Sequence, residues 1–151
     1  MDVAERFAKL SVARRLHVGA IVVKDDRIIS IGYNGMPSGW DNNCEIESTS
    51  LDSWGGYTID KTDVNVTQTV LKSKPEVLHA ETNAIAKLAK STESGANATM
   101  FITHSPCLDC AKLIFQSGIS RVFYRDDYRS EDGVRFLTRS GVAVTQVKKD
   151  S

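Results

Sequence analysis

The segment ATMFITHSPCLDCAKLIFQSGISRVFYR, residues 98–125, decides the fold because it alternates between two kinds of pattern. β-Branched and aromatic residues dominate 98–104 and 121–125, which predicts a strand at each end. Ser105 is a typical helix N-cap and Gly118 is typical of a helix end, so the residues between them are predicted to form a helix. This order of elements predicts two parallel strands joined by a crossover helix.

The same alternation continues on both sides of this segment. A helix is predicted over 78–90, and further along the chain a helix over 132–140 and a strand over 142–148. Near the N-terminus, VGAIVV and RIISIGYN are separated by the charged residues 24–27, which predicts a hairpin whose first strand is largely buried. We therefore expect an α/β protein with a mixed, mainly five-stranded sheet, made of an antiparallel hairpin and parallel strands, with helices on both faces.

The N-terminal residues predict a surface helix over 2–15. Val3, Phe7, Leu10 and Ala13 fall along one helical stripe of DVAERFAKLSVARR. Such a stripe is typical of a helix that packs one apolar face against the rest of the protein.

The segment from about 40 to 75 has no clear periodic pattern. It is rich in Asp, Asn, Ser and Thr, with paired glycines and with Trp40, Trp54 and Tyr57 scattered through it. A connection this long inside a small domain is usually either functional or disordered. We predict a loop insertion, acting as a lid or effector loop, within a single domain over residues 1–151.

The charge of the chain is balanced, with 19 basic and 19 acidic residues among 151. Binding a long polynucleotide usually needs an excess of basic residues, so we expect no polynucleotide partner. The longest apolar runs are only a few residues long, and the N-terminal MDVAERF carries charge. These features argue against a membrane span and a signal peptide, and they predict a soluble, cytoplasmic protein.

Two of the three cysteines, Cys107 and Cys110, lie three residues apart at the start of the predicted helix. They share one helical face, where the helix N-terminus stabilises thiolate, the form that binds zinc. In an intracellular chain such a pair indicates metal or redox chemistry before a disulfide framework. His79 begins the preceding helix, and a right-handed crossover can place it beside the cysteines as a third zinc ligand.

Three protein ligands would leave the fourth position of a zinc ion to water, which is typical of a catalytic site. Glu81 lies two residues after His79, where it can take a proton from that water without binding the metal. The pattern His-x-Glu at 79–81, followed by Pro-Cys-x-x-Cys at 106–110, is the known signature of the zinc deaminases.

Other interpretations of these residues stay open. A Cys-x-x-Cys pair alone also fits a redox pair or half of a structural zinc site. A purely structural zinc ion would need a fourth ligand, for which Cys44, His17 and His104 are candidates, and it would leave Glu81 without a role. The non-enzyme alternative is therefore a zinc-stabilised binding module.

Beyond the signature, the sequence resembles the deoxycytidylate (dCMP) deaminase family, including its short bacteriophage and bacterial members. The resemblance covers most of the chain and keeps the order of the motifs VGAIVV, GYNGMPSG, LHAETNAI, THSPCLDCAKLIFQSGI and VFYRDDYR. It implies the three-layer α/β/α fold of the zinc-dependent cytidine and deoxycytidylate deaminases. For a phage-encoded member it also implies that the protein works in the host cytoplasm.

The reaction that the resemblance implies is hydrolytic deamination of dCMP to dUMP with release of ammonia, a step in the supply of dTMP precursors. His79, Cys107 and Cys110 would hold Zn²⁺ as the cofactor. Glu81 would pass protons to N3 of the cytosine and then to the leaving amine.

The resemblance also assigns residues to the nucleotide. It places the backbone of Ala80 and of Ser105 at the pyrimidine edge, and Asn34 of the GYNG motif at a sugar hydroxyl. Tyr124 resembles an aromatic residue of the family and could flank the substrate. The equally weighted alternative is a core tyrosine whose hydroxyl reaches solvent.

Three arginines are candidates for the phosphate: Arg15, Arg125 and Arg129. Arginine can grip a phosphate with two donors, which is the reason for choosing this residue type. The alternative for each one is an ordinary solvated surface arginine.

Family members are often hexamers that dCTP activates and dTTP inhibits, so the resemblance implies a homo-oligomer with these two effectors. Some phage relatives carry a second zinc site built from a cysteine after GYNG and extra histidines. Here Cys44 follows GYNG but 45–78 contain no histidine, so Cys44 is predicted to be a plain thiol. The active-site motifs do not show which residues contact C5 of the cytosine or the phosphate chain. For this reason, dCTP or a 5-modified cytosine nucleotide remains an alternative substrate.

Overall fold

The computed structural model describes residues 1–49 and 69–148. In chain order the elements are α1 (Asp2–Ala8), β1 (Gly19–Lys24), β2 (Arg27–Tyr33), β3 (Glu45–Thr49), β4 (Thr69–Ser73), α2 (Ala80–Ala89), β5 (Thr99–His104), α3 (Leu108–Gln116), β6 (Arg121–Asp126), α4 (Asp132–Arg139) and β7 (Ala143–Gln146). None of the described helices has the length and apolar character needed to cross a bilayer.

The main sheet has five strands in the order β2-β1-β5-β6-β7. β1 runs antiparallel to both β2 and β5, whereas β5, β6 and β7 run parallel to one another. Asp25 and Asp26 connect β1 to β2 with φ angles of 50° and 57°. Two successive left-handed residues are typical of a two-residue hairpin turn. The predicted mixed sheet and its charged hairpin turn are therefore confirmed.

Helices cover both faces of this sheet, and two glycines show how closely they approach. A Cβ atom on Gly19 would lie 2.1 Å from the carbonyl oxygen of Ala4 in α1, and one on Gly32 would lie 2.0 Å from that of Ala80 in α2. Gly32 pairs across the hairpin with Ala20, the residue after Gly19. Because successive strand residues point to opposite faces, α1 and α2 pack on opposite sides of the sheet.

The larger part of the core lies between the sheet and the face that α2, α3 and α4 cover. Its buried side chains include Ala20, Val22, Met100, Ile102 and Val122 from the strands and Ala84, Leu88, Ala111, Ile114 and Leu137 from the helices. Small residues along α2 allow this helix to lie close to the sheet. α2 and α3 both begin near the end of β5, since His79, His104 and Cys107 line one pocket.

A backbone bridge fixes the start of α2. The N–H of Gly35, just after β2, donates to the carbonyl of Leu78 at 3.1 Å, and the N–H of Leu78 donates back at 2.8 Å. This pair ties the GYNG segment to the residue before His79. The motif that resembles a nucleotide-binding element thus lies directly beside the predicted metal ligand.

The predicted helix over 2–15 is wrong beyond Ala8. The N–H groups of Arg14 and Arg15 donate to the carboxylate of Glu45, at 2.8 and 3.2 Å. Hydrogen bonds to a residue 30 or 31 positions away in the sequence replace helical ones at this point. The apolar stripe in the sequence does not show that Glu45 takes the place of helical acceptors for these N–H groups.

The expected loop over 40–75 contains regular structure at both ends. β3 and β4 pair antiparallel, with Glu45 opposite Ser73, and form a separate two-stranded sheet. Ile46 and Val70 are each 51% exposed, so these strands lack the buried alternation that predicts a strand. Residues 50–68 of the expected loop lie outside the described residues, and the single-domain organisation stays a prediction.

The contact between Gly32 and α2 leads to a testable prediction. Gly32→Ala is expected to lower the free energy of unfolding by about 1–3 kcal/mol, because the new methyl group would overlap the backbone of α2 instead of a flexible side chain. Thermal or urea unfolding measures the change. Gly35→Ala is the matched control, since a Cβ there meets no atom within 4 Å. Equal stability of the two variants would contradict the close approach of α2.

Candidate active site

His79, Cys107 and Cys110 come together at the starts of α2 and α3. Nδ1 of His79 lies 3.3 Å from Sγ of Cys110 and 3.6 Å from Sγ of Cys107. The three potential ligand atoms all lie within 4.8 Å of one another. A tetrahedral zinc site with ordinary Zn–N and Zn–S bond lengths would place such atoms roughly 3.5–3.8 Å apart. One imidazole nitrogen and two thiol sulfurs at this spacing fit a zinc ion.

The local backbone presents these side chains at helix N-termini. His79 and Cys107 are the N-cap residues of α2 and α3, with extended ψ angles of 156° and 168°. Sγ of Cys107 accepts the N–H of Cys110 at 3.5 Å, and the hydroxyl of Thr82 lies 3.5 Å from Sγ of Cys110. These contacts hold both sulfurs in place before any cation binds.

Electrostatics favour the thiolate form at one of the two cysteines, Cys107. Hydrogen bonds from the Cys110 thiol and from His79 lower the pKa of Cys107 to about 4. The hydrogen bond between His79 and Cys107 raises the pKa of His79. The hydrogen bond between Cys110 and Cys107 raises the pKa of Cys110. These contacts favour the thiolate of Cys107, and a thiolate is the form of cysteine that binds metal.

Glu81 is the second residue of α2 and is only 4% exposed. Burial raises the pKa of its carboxyl to about 7. A group with a pKa near the working pH can both accept and donate a proton efficiently. The site therefore combines a cation-binding cluster with a buried acid or base two residues along the chain from one ligand.

A pocket of about 390 Å³ opens onto this site. This volume lies within the range of small-molecule sites. Residues from several parts of the chain line it, including Arg15, Asn34, Glu45, Ser73, Lys74, His79, Ala80, Glu81, His104, Ser105, Cys107, Tyr128 and Arg129. The fold thus collects most of the predicted site residues around one cavity.

Comparison with known proteins identifies the family. The family model for the cytidine and deoxycytidylate deaminase zinc-binding region matches residues 1–126. The chain belongs to this family. Its zinc-binding character agrees with the His79, Cys107 and Cys110 cluster, so the predicted zinc cofactor is confirmed.

Two relatives show how far the similarity extends. ComE operon protein 2 of Bacillus subtilis is 33% identical over 141 residues, which are 93% of this chain but span only 65% of that protein. The deoxycytidylate deaminase of Enterobacteria phage T4 is 36% identical over 155 residues, covering 87% of this chain and 79% of the phage protein. The family resemblance predicted from the motifs is confirmed.

A solved structure extends the comparison to the fold. The dCMP deaminase of cyanophage S-TIM5, crystallised in complex with dCMP and dUMP, is 41% identical and superposes with a TM-score of 0.79. The match covers 97% of this chain and 92% of the cyanophage chain. The predicted cytidine-deaminase-like fold is therefore confirmed.

In this family member, Asn34 lines the pocket while its amide also holds the backbone. Oδ1 accepts the N–H of Val18 at 2.8 Å, and Nδ2 donates to the carbonyl of Leu16 at 2.8 Å. An amide oxygen can accept two hydrogen bonds and an amide nitrogen can donate two. Asn34 is thus held rigidly and retains hydrogen-bonding capacity for a ligand.

Ser105 and Ala80 present backbone groups to the same pocket. The hydroxyl of Ser105 accepts the N–H of Tyr128 at 2.7 Å, and its own N–H donates to the carbonyl of Asp126 at 2.8 Å. The carbonyl oxygen and the hydroxyl proton of Ser105 are its remaining hydrogen-bonding groups. Ala80 is the first residue of α2, where helix geometry provides no partner for the N–H.

Tyr124 and Arg125, both on β6, are not among the described residues that line this pocket. Tyr124 is buried, and burial raises the pKa of its hydroxyl. Arg125 is also buried, pairs with Glu5 of α1 and lines a different cavity. Tyr128 supplies the aromatic ring that lines the main pocket.

The other candidate metal ligands lie apart from the zinc cluster. Cys44 is a buried free thiol whose Sγ lies 3.6 Å from the carbonyl oxygen of Asn42. Nε2 of His17 contacts the carbonyl of Ala13 at 2.7 Å. His104 lines the pocket, but its Nδ1 contacts the hydroxyl of Thr103 at 3.1 Å. The described metal-binding cluster contains none of the three.

Sequence reasoning missed several pocket residues, and three of them are polar and belong to the segment 40–75: Glu45, Ser73 and Lys74. All three belong to or follow the strands β3 and β4, inside the segment predicted as a loop. The short alternation of charged and apolar residues around Glu45 was the only local signal for a strand there.

Proposed function

We propose that this protein catalyses the zinc-dependent hydrolytic deamination of dCMP to dUMP, with release of ammonia, and thereby supplies a dTMP precursor. The observation that carries the proposal is the three-ligand cluster in one pocket with a buried carboxyl group, that of Glu81. The similarity to a cyanophage enzyme crystallised with dCMP and dUMP supports the choice of nucleotide.

Glu81 is the proton carrier in this proposal. His79, Cys107 and Cys110 would hold zinc, which when bound lowers the pKa of a water molecule and so supplies a nucleophile near neutral pH. The carboxylate of Glu81 takes a proton from the attacking water and delivers it to N3 of the cytosine. Once the water oxygen is bonded to C4, Glu81 takes the remaining proton of that hydroxyl and transfers it to the exocyclic amine. The C4–N bond then breaks, the amine leaves as ammonia and C4 becomes the carbonyl of dUMP.

Backbone groups and Asn34 orient the substrate. The carbonyl of Ser105 accepts from the exocyclic amine, and the N–H of Ala80 donates to the pyrimidine edge. The amide of Asn34 binds a sugar hydroxyl. Their hydrogen bonds to neighbouring backbone hold Ser105 and Asn34 in place, which reduces the entropy lost on binding.

Ammonia release from a panel of substrates tests the proposal. The zinc-loaded protein is incubated with dCMP, dCTP, 5-methyl-dCMP, cytidine and a cytosine-containing oligonucleotide. Each substrate other than dCTP is tested with and without added dCTP, the expected activator. We expect dCMP to have the highest kcat/KM and the oligonucleotide to give no product. A higher kcat/KM for dCTP or 5-methyl-dCMP would replace the substrate assignment. No release from any substrate would contradict the function and favour a zinc-stabilised binding module.

The assembly and regulation implied by the resemblance are also part of the proposal. We propose a homo-oligomer, a hexamer by analogy with the family, activated by dCTP and inhibited by dTTP, that works in the cytoplasm. Leu113 and Phe115 of α3 are 44% and 42% exposed and are candidates for a subunit contact. Light scattering with and without each nucleotide measures the assembly, and a monomer under all conditions would contradict it.

A further inference from the structure

Glu45, at the start of β3, ties the segment before β1 to the small sheet. It is only 2% exposed, and one carboxylate oxygen accepts the N–H groups of both Arg14 and Arg15. The other oxygen lies 3.6 Å from Nε of Arg14. A buried carboxylate is costly unless hydrogen bonds and opposite charge compensate it. The two N–H groups compensate one oxygen, and the ion pair with Arg14 offsets part of the cost of the other, which has no hydrogen-bond partner among the described residues. Glu45 therefore fixes the backbone at Arg15.

The same sheet also holds the side chain of Arg15. Nη1 of Arg15 donates to the hydroxyl of Ser73 at 3.1 Å, and Ser73 is the residue paired with Glu45 across the two strands. Two adjacent positions of one sheet thus hold Arg15, one by its backbone and the other by its guanidinium group. Within the part of the chain that the structure describes, Ser73 is the only hydrogen-bond partner of that guanidinium, which carries five N–H donors.

The pocket lining carries cationic side chains. Of the described residues that line the pocket, three are lysine or arginine: Arg15, Lys74 and Arg129. Lys74 follows Ser73, and its N–H donates to the carbonyl of Cys44 at 2.9 Å, which fixes its backbone. Arg14 pairs with both Glu45 and Glu47, at 3.6 and 3.1 Å, and so offsets part of the negative charge of Glu45. An anionic group of a ligand fits here, and arginine favours phosphate because it can donate two hydrogen bonds at once.

We propose that Glu45 is a positioning residue that holds Arg15 to bind the 5′-phosphate of the nucleotide, with Lys74 as a second cation. The small sheet would then make the protein select nucleotides over nucleosides. This inference rests on the proposed function, because it assumes that the pocket takes a pyrimidine nucleotide.

Equilibrium binding of dUMP and of deoxyuridine tests phosphate recognition, because the two ligands differ only in the 5′-phosphate. A variant that disrupts the pocket as a whole weakens binding of both ligands. Isothermal titration calorimetry with the zinc-loaded protein measures both dissociation constants. Arg15→Ala and Lys74→Ala are each expected to raise the Kd for dUMP about 10- to 100-fold, the usual effect of losing a hydrogen bond to a charged group, and to leave that for deoxyuridine within about twofold. Lys72→Ala removes a neighbouring charge outside the described pocket lining and is the matched control.

Variants of Glu45 test the positioning role. Glu45→Ala is expected to weaken dUMP binding as much as Arg15→Ala does, with zinc content and deoxyuridine binding unchanged. Glu45→Gln keeps an acceptor for the two N–H groups and is expected to recover most of the affinity. If Glu45→Ala does not fold, Glu45→Asp, which withdraws the oxygen but keeps the charge, is expected to show the same selective loss.

Two results would overturn the inference: unchanged dUMP binding in the Arg15 and Glu45 variants, or equal weakening of dUMP and deoxyuridine. The proposed function fails separately. If the wild type binds dUMP in a manner that depends on Arg15 but releases no ammonia from dCMP, the phosphate site stands and the reaction is wrong.

Discussion

Glu81→Gln is expected to lower kcat for dCMP by about 10²- to 10⁴-fold, the usual contribution of a general acid or base. The amide has nearly the same shape as the carboxyl group but cannot take a proton from water or return it to the pyrimidine. Because Glu81 is buried in the same pocket as the metal cluster, no bulk water can easily replace it as the proton carrier.

Zinc content distinguishes this role from that of a ligand. The Glu81→Gln protein is expected to retain one zinc ion per chain, measured by atomic absorption beside the steady-state rate. Glu76→Gln is the matched control, since Glu76 is exposed, lies shortly before α2 and is not among the described residues that line the pocket. Loss of zinc from Glu81→Gln, or activity close to that of wild type, would contradict proton transfer by Glu81.

Cys110→Ser is expected to remove zinc from the protein and to lower kcat/KM for dCMP by more than about 100-fold. Replacing even the neighbours of metal ligands commonly costs 10- to 100-fold, and a hydroxyl is a much poorer zinc ligand than a thiolate. Cys110 is also 2% exposed, so its replacement alters the packing between α2 and α3 and is expected to lower the melting temperature.

Cys44→Ser provides the same chemical change at a buried cysteine outside the described cluster. It is expected to retain zinc and activity. Treatment of the wild type with a chelator should reproduce the loss of activity seen in Cys110→Ser, and added zinc should restore only the wild type. Recovery of Cys110→Ser with added zinc to the wild-type rate would show that His79 and Cys107 suffice, and would contradict the three-ligand site.

Local sequence patterns determined the parts of this protein that depend on near neighbours. Alternating runs of strand and helix residues predicted the main sheet, and two acidic residues marked the hairpin turn between β1 and β2. The spacing of the motif residues predicted the zinc ligands and the nearby carboxylate. His79 and Glu81 lie at the start of one helix, and Cys107 and Cys110 lie at the start of the next. Such features follow from backbone geometry over a few residues.

Only the tertiary structure decided where the first helix ends and which residues of β3, of β4 and just after β4 line the pocket. The chain leaves the helix after Ala8, and the N–H groups of Arg14 and Arg15 donate to Glu45, 31 and 30 residues away. β3 and β4 are exposed on most of their surface and carry little of the apolar alternation that marks a strand. Hydrogen bonds between distant residues leave no periodic trace in the sequence, and so Glu45, Ser73 and Lys74 could be placed at the pocket only after the chain had folded.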